Sequence, residues 1–419
     1  MLMYSCMHFE IDLESISKAA SFANAVAKAA GSLADTGNPD HKSIYLSSTP
    51  QGLIVRCTTR DYQASTLLKD ANVFSHGDCM LFSERLSGHL ETLPIDSRVT
   101  FIYDSGLLQI ESDKRKGNRS IPAIIPDYAM PEWRLESDHF TQVVPPDFAQ
   151  DLLHASKYAC VDQTRDHYGI NIDATGIMAF DNYNFVKIPK TLPSIPSTTL
   201  DSDVVKFISS PKFFGDGDIS FSSDGDKFKF QFGNSALMGP TMAGNFEASR
   251  VQMEALVAPY IEPPQPRKLV FDYKKFGSAL DSITASSLDP LDRVLIWPNG
   301  NVCIGIDRID NYNEKVEVLE CGIKNPFAVS LKSLLAIFKE GKDDNLTFNF
   351  HPTHDKPEIR QIVVIQNNKV IGFSPSVVSD SIIGKTPDVG DEDEVEKDIQ
   401  PEQELLEDST ANDEDFWND

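Results

Sequence analysis

No two of the six cysteines, Cys6, Cys57, Cys79, Cys160, Cys303 and Cys321, stand in Cys-x-x-Cys spacing. That absence disfavours a zinc site and a disulfide framework alike, and the chain reads as a reduced, intracellular protein. Long apolar runs are missing too. No segment approaches the roughly 20 apolar residues of a membrane helix, and the opening MLMYSCMHFEID has neither a basic start nor an apolar core, so neither a membrane nor a secretory route is expected. There is no G-x-x-x-x-G-K-[ST] loop, no G-x-S-x-G elbow and no H-E-x-x-H pair, which removes the commonest nucleotide, acyl-transfer and zinc-hydrolase signatures. His351-Pro352-Thr353-His354-Asp355 is the best metal candidate by composition, but Pro352 interrupts it in a turn between two strands. No catalytic residue, metal or cofactor is assigned.

Positive charge is scarce: 38 Lys and Arg stand against 63 Asp and Glu, a net charge of −25. Its distribution matters more than its sum. Residues 386–419 alone hold 15 acidic residues and one lysine, so the rest is only mildly acidic and can still gather cations on one surface. This acidic stretch is poor in apolar residues and reads as a disordered tail, with two apolar islands at Leu405-Leu406 and Phe416-Trp417. By composition the Gln403-Glu404-Leu405-Leu406 island reads as incidental leucines in a solvated tail.

What is present is one order of elements, stated three times. Residues 7–13 alternate as a half-buried strand, and 14–30 are an Ala-rich helix with Gly31 as its stop. Strands follow near 43–48, 53–59 and 62–69, then a helix over 83–93 with Ser83 as cap and Pro94 beyond, then strands at 98–103 and 107–111. The second unit repeats this with helices at 147–158 and 203–214 and strands at 167–173, 176–181, 218–223 and 227–232. The third has helices at 273–286 and 331–340 and strands at 268–272, 293–297, 302–306, 346–350, 361–365 and 369–373. Each unit also has a Gly-led strand and a polar turn ending in tyrosine: Gly52 to Tyr62, Gly176 to Asp181-Asn182-Tyr183, Gly300 to Asp310-Asn311-Tyr312.

The stretch 119–133, RSIPAIIPDYAMPEW, closes the first unit, because Pro122, Pro126 and Pro131 force it to run along a sheet edge and then leave it. Residues 134–142 and 255–267 read as extended, proline-stiffened joints. The fold class is α+β, with two helices packed on antiparallel sheets in each unit. Domain boundaries are expected at 1–133, 140–254 and 268–378, with the tail at 386–419.

Ser120, Pro122, Pro126, Asp127, Tyr128 and Pro131 approximate the closing-strand pattern S-x-x-P-x-x-P-x-x-D-[FY]-P-x-[LM]-P of the β sliding clamps of bacterial DNA polymerase III. Together with the threefold repeat and the strand-first opening, this resembles that family over about residues 7–378. In the second unit MAGNFEASR (242–250) stands for a DG-R-[FY]-P-D-Y segment without its proline, a departure that suggests a divergent member, such as a phage-encoded clamp. The resemblance implies a non-enzymatic processivity factor in the cytoplasm of a bacterial or phage-infected cell. It also implies a head-to-tail homodimer in which six domains close a ring around double-stranded DNA, helices lining the hole. DNA polymerase and a clamp-loader ATPase are the implied partners. A clamp-fold scaffold that docks proteins but no longer binds DNA is the alternative, and a nuclease on repeated α+β units a more distant one.

Under that resemblance the lining cations are Lys18, Lys28, Arg85, Lys157, Lys206, Lys212, Lys274, Lys275, Lys332 and Lys339, each on an expected helix. Residue pattern alone reads them as ordinary solvated helix faces. Lys114-Arg115-Lys116, in a hairpin turn, reads equally as a phosphate contact or a soluble turn. A partner-peptide cleft is implied between the last two units. Its counterparts here are Asn182, Tyr183 and Phe185 in Ala179-Phe180-Asp181-Asn182-Tyr183-Asn184-Phe185, and Phe373, Pro375 and Val377 near the end of the third unit. The arginine of each family pattern is missing, Asn184 standing in one place, and the aromatics could instead pack on their own sheet.

Overall fold

The computed structural model describes residues 6–33, 43–59, 61–125, 135, 142–145, 147–181, 184–193, 195–208, 218–242, 246–261, 267–286, 293–304, 313–338, 344–352, 362–366 and 369–373. The end of the proline closure, the Tyr183 and Tyr312 turns and the acidic tail lie outside the described residues.

In the first unit β1 (Met7–Asp12) leads into α1 (Leu13–Leu33). Then come β2 (Ser43–Thr49), β3 (Gly52–Thr58), β4 (Gln63–Leu68), β5 (Asn72–Ser75), β6 (Gly77–Phe82), α2 (Ser83–Leu90), β7 (Arg98–Asp104), β8 (Leu107–Ser112) and β9 (Arg115–Pro122). The second unit has β10 (Gln142–Val144), α3 (Phe148–Ser156), β11 (Ile170–Asp173), β12 (Gly176–Phe180), β13 (Asn184–Pro189), β14 (Thr198–Leu200) and α4 (Ser202–Ile208). It continues with β15 (Ile219–Ser223), β16 (Lys227–Phe232), β17 (Ser235–Pro240) and α5 (Phe246–Ile261). The third has β18 (Lys268–Asp272), α6 (Tyr273–Ser286), β19 (Arg293–Ile296), β20 (Asn301–Ile304), β21 (Asn313–Lys315), β22 (Val318–Cys321) and β23 (Phe327–Ser330). It ends with α7 (Leu331–Phe338), β24 (Asn345–Asn349), β25 (Ile362–Gln366) and β26 (Lys369–Phe373).

Local chemistry accounts for these elements. In β1, Met7, Phe9 and Ile11 are buried, while Glu10 and Asp12 face out and pair with Arg98 on β7. In α1, Ile16, Ala19, Ala20, Ala23 and Ala27 are buried at helical spacing, and their small side chains let the helix lie close on β3 and β4. The repeat seen in sequence has a backbone counterpart. Gly52, Gly176 and Gly300 all have positive φ, at 132°, 145° and 91°, and a Cβ at any of them would strike a neighbouring backbone carbonyl, that of Leu68, Ile188 or Val316. One geometric role recurs once per unit, and only glycine fills it.

Three expectations are corrected. Gly31 does not stop α1, which runs on to Leu33. Ser83 does not cap α2: the capping position is Phe82, without a side-chain bond, and the Ser83 hydroxyl donates instead to Asn24 Oδ1 at 2.9 Å, tying α2 to α1. The joint expected to be extended from Ala255 is helical as far as Ile261, as part of α5, with Pro259 inside it. FEASRVQMEAL is built of good helix formers, and burial of Phe246, Val257 and Tyr260 on a sheet outweighs one proline near the helix end.

Sheet order shows how the units join. Among the described residues there are four sheets: β5-β1-β7-β8-β9, β10-β15-β16-β17-β4-β3-β2-β6, β14-β11-β12-β13-β26-β25-β24-β18-β22, and β21-β20-β19-β23. Each unit contributes two half-sheets, one ending in the hairpin edge β4, β13 or β21 and the other in the closing edge β9, β17 or β26. Twice a hairpin edge pairs antiparallel with the closing edge of the next unit, β4 with β17 and β13 with β26.

The buried thiols make a testable feature of this core. Burial pushes Cys57 up to about 12 and Cys303 up to about 11 from the ordinary 9.0, and Cys79 is also raised, by burial and then the Asp78 charge. Such groups stay protonated in the folded chain while the unfolded chain loses the proton above about pH 9. The expected result is a falling melting temperature from pH 9 upward, each thiol contributing at most about 1.4 kcal/mol per pH unit. Cys57→Ala should flatten that slope, read by thermal denaturation in a pH series.

Candidate nucleic-acid and partner interfaces

Among the described residues, all helices except α5 share one side of the sheets. In β12, Ile177 and Ala179 enter the core that holds Phe148 and Leu152 of α3, whereas Met178 and Phe180 point the other way, beneath α5. The same core receives Phe22 and Val26 of α1, Val204 and Val205 of α4, Phe276 and Leu280 of α6, and Leu334 of α7. Helix α1 also touches α2 and, across the first junction, α4. The six helices thus form a layer that crosses the unit boundaries.

This layer carries the candidate lining cations. Lys18, Lys28, Arg85, Lys157, Lys274, Lys275 and Lys332 are exposed, and the side chains of Lys206, Lys212 and Lys339 lie outside the described residues. Several of the exposed ones have partners of their own. Lys18 pairs with Glu14 at 2.6 Å, Lys28 with Glu84 at 3.9 Å and Lys275 with Glu317 at 2.6 Å, while Arg85 sits 5.7 Å over the Phe82 ring. The hydrogen bond and charge of Glu317 raise Lys275 above the ordinary lysine value, so it stays charged. The six helices with Lys157 at the α3 end hold eight cations and five carboxylates, a positive balance in a chain that is strongly acidic as a whole. Of the Lys114-Arg115-Lys116 run, Lys114 donates to the Ile95 carbonyl and Arg115 to the Thr92 carbonyl, at 3.3 and 3.0 Å, and Arg115 and Lys116 open β9.

The opposite sheet face holds the partner candidates. Phe185 pairs in register with Gly372 across the β13–β26 junction, and its ring lies where a Cβ of residue 372 would otherwise be. Sequence reasoning did not single out what surrounds it. A pocket of about 210 Å³ opens between Met178, Phe185 and Lys187 on the strands and Met253, Glu254, Val257 and Ala258 on α5. Phe180 stacks on His167 at 4.8 Å and meets the tilted ring of Phe246 at 5.0 Å. The backbone of Phe373 ends β26; its side chain, Asn182, Tyr183, Pro375 and Val377 lie outside the described residues. Asn184 does not act as a cation substitute: its amide lies 3.2 Å from Asp181 Oδ2, and its carbonyl accepts from Ser333 of α7 at 3.1 Å. Among the described residues no group of three or more His, Cys, Asp or Glu could hold a metal ion, and no helix is long and apolar enough to cross a membrane. His351 packs edge-on against Tyr260, at 5.5 Å; His354 and Asp355 lie outside the described residues.

No family model and no curated protein sequence matches the chain. Solved structures do. The beta sliding clamp of Caulobacter crescentus superposes with a TM-score of 0.73 at 16% identity, over 90% of this chain and 100% of that one. The chain has the sliding-clamp fold. The DNA polymerase sliding clamp of Bacillus subtilis gives 0.72 at 14% identity, over 90% and 100% of the two chains. A DnaN sliding clamp, the DNA polymerase III beta subunit of Pseudomonas aeruginosa bound to griselimycin, gives 0.69 at 14%, over 88% and 99%. The clamp fold therefore spans all three units here, at a sequence identity low enough to mark a divergent representative.

Proposed function

We propose that this chain is a DNA polymerase processivity factor, a ring that encircles duplex DNA and tethers the polymerase, with no chemistry of its own. The observation that carries this reading is the pair of sheet edges left over. Among the described residues two hairpin edges are joined to two closing edges within the chain, which leaves β21 of the third unit and β9 of the first as a matched pair at opposite ends. Repeating the same junction between two copies, head to tail at both ends, pairs these two edges and closes a six-unit ring. The helix layer then faces the hole, and a closed ring needs only weak, non-specific phosphate contacts to stay on DNA while sliding. A ring of this kind needs a loader ATPase to open it. A polymerase segment would dock on the outer face at the β13–β26 junction, against Asn182, Tyr183, Phe185, Phe373, Pro375 and Val377.

The test is retention on circular DNA. The loaded chain should stay on a closed circle in high salt and run off once the circle is cut. The double variant Lys274→Ala, Lys332→Ala should bind duplex more weakly, its salt dependence flattened by about 0.9 in log–log slope for each phosphate no longer neutralised. The pairing of Lys18, Lys28 and Lys275 with carboxylates favours a second reading, a clamp-fold scaffold that docks proteins without DNA. Equal loss from closed and cut circles, with no salt dependence, supports that reading instead.

A further inference from the structure

Helix α5 lies where an incoming segment would have to lie. Its Phe246, Val257 and Tyr260 are buried against Met178, Phe180, Phe185, Val363 and Val370, the outward row of the strands that join the second and third units. The two halves of the helix are held differently. At its start Phe246 packs on Phe180, and Arg250 pairs with Asp173 at the end of β11 and with Glu247. Asp173 is itself fixed, accepting the amides of Thr175 and Gly176 at 2.7 and 3.1 Å.

From Met253 onward the hold is of another kind. It includes the Lys187–Glu254 ion pair at 2.6 Å, the apolar contacts of Met253, Val257 and Tyr260 and the edge-on packing of His351 on Tyr260, and beneath it lies the pocket of about 210 Å³. Close-packed cores leave few voids larger than a water molecule, so this half of the helix rests on an incomplete contact. Pro259 removes one backbone donor from the same half.

We propose that residues 253–261 of α5 are a lid on the outer face, latched by Lys187 and Glu254, and that a partner segment reaches Phe185 only when this half lifts. The inference rests on the outer-face docking reading given above. A lid that is mostly closed lowers apparent partner affinity by the fraction of time it is open, so the latch sets the strength of docking. The N-terminal half, anchored by Arg250 and Phe246, is the fixed end about which it moves.

Hydrogen exchange on the full chain, with 1-anilinonaphthalene-8-sulfonate as an apolar probe, tests this. Glu254→Ala should speed exchange of the amides from Ala255 to Tyr260 about two- to fivefold, the range for a half-exposed ion pair. It should leave residues 246–251 unchanged and raise dye binding by a similar factor. Ala258→Leu, which adds side-chain volume at the pocket wall, should slow the same amides and reduce dye binding. Unchanged exchange in Glu254→Ala, or equal acceleration along the whole of α5, overturns the lid. Neither measurement involves DNA or a polymerase, so a lid that fails and a ring that fails are told apart.

Discussion

Replacing Asp151 with alanine is expected to destabilise the chain by about 3–5 kcal/mol, the cost of leaving a buried ion network without its centre. The Asp151 side chain is 5% exposed and lies 2.7 Å from Lys190 Nζ and 2.9 Å from Lys369 Nζ, themselves 15% and 17% exposed. Lys190 follows β13, Lys369 begins β26, and Asp151 is on α3, so one carboxylate ties the helix layer to both sides of the junction between the second and third units. Lys190 keeps a second partner, Asp147 at 2.7 Å, whereas Asp151 is the carboxylate that faces both ammonium groups. Asp151→Asn, which keeps the shape and an acceptor but not the charge, should lose less. Urea denaturation of the two variants gives the comparison, and a loss under 1 kcal/mol for Asp151→Ala contradicts the assignment.

The pH dependence of this network follows from Lys190. Burial draws its pKa down, but hydrogen bonds and charges from Asp147 and Asp151 together outweigh burial, and the net shift is upward from 10.5. A raised lysine contributes its full stability below 10.5 and loses it only as pH climbs through the folded value. The Asp151→Ala defect should therefore be flat across neutral pH.

Reversing charge on β9 is expected to break the proposed ring into monomers. Arg115, Lys116 and Arg119 put three cations on this edge strand, while β21 carries Glu314, with Glu317 two residues beyond its end. In the proposed ring, opposed signs on the two leftover edges would complement one another between copies, although Lys315 lies beside Glu314. The triple variant Arg115→Glu, Lys116→Glu, Arg119→Glu should weaken dimerisation about 100-fold, or about 2.7 kcal/mol. Sedimentation velocity over a concentration series reads this directly, and raised salt should shift the unaltered chain in the same direction. Arg115 and Arg119 also hydrogen bond to Thr92, so Lys116→Glu alone, with the melting temperature as a control, separates a broken interface from a loosened hairpin. A dimer that survives all three changes in every salt rules out this edge as the interface.

The strands that sequence reasoning passed over are instructive. β13 and β17, which make the two junctions, were not expected as strands at all. Both are covered on their two faces near the seam: Phe185 and Val186 are buried in succession, as are Leu237, Met238 and Gly239. The period-2 signal of a half-buried strand then disappears. By contrast β18, α6 and β26 were expected at the bounds they have: α6 exposes one face and keeps a readable period, while the Leu269-Val270-Phe271 run of β18, buried in succession like β17, is framed by Lys268 and Asp272. Helix α5 was hidden for a different reason. Pro259 and the proline run after it suggested a joint, and the apolar spacing of Phe246, Met253, Val257 and Tyr260 has meaning only once the outward row of β12, β13, β25 and β26 is there to receive it.

The order of elements, the three-unit repeat, the glycine marks and the concentration of acid in the last residues were properties of the chain alone, because each depends on neighbours within a few positions. Which edges meet, which side the helices share, that a carboxylate on α3 neutralises lysines from two units, and that a helix covers the outer face were decided by the tertiary structure. These features join residues tens to hundreds of positions apart, and only packing and sheet register bring such residues within reach of one another.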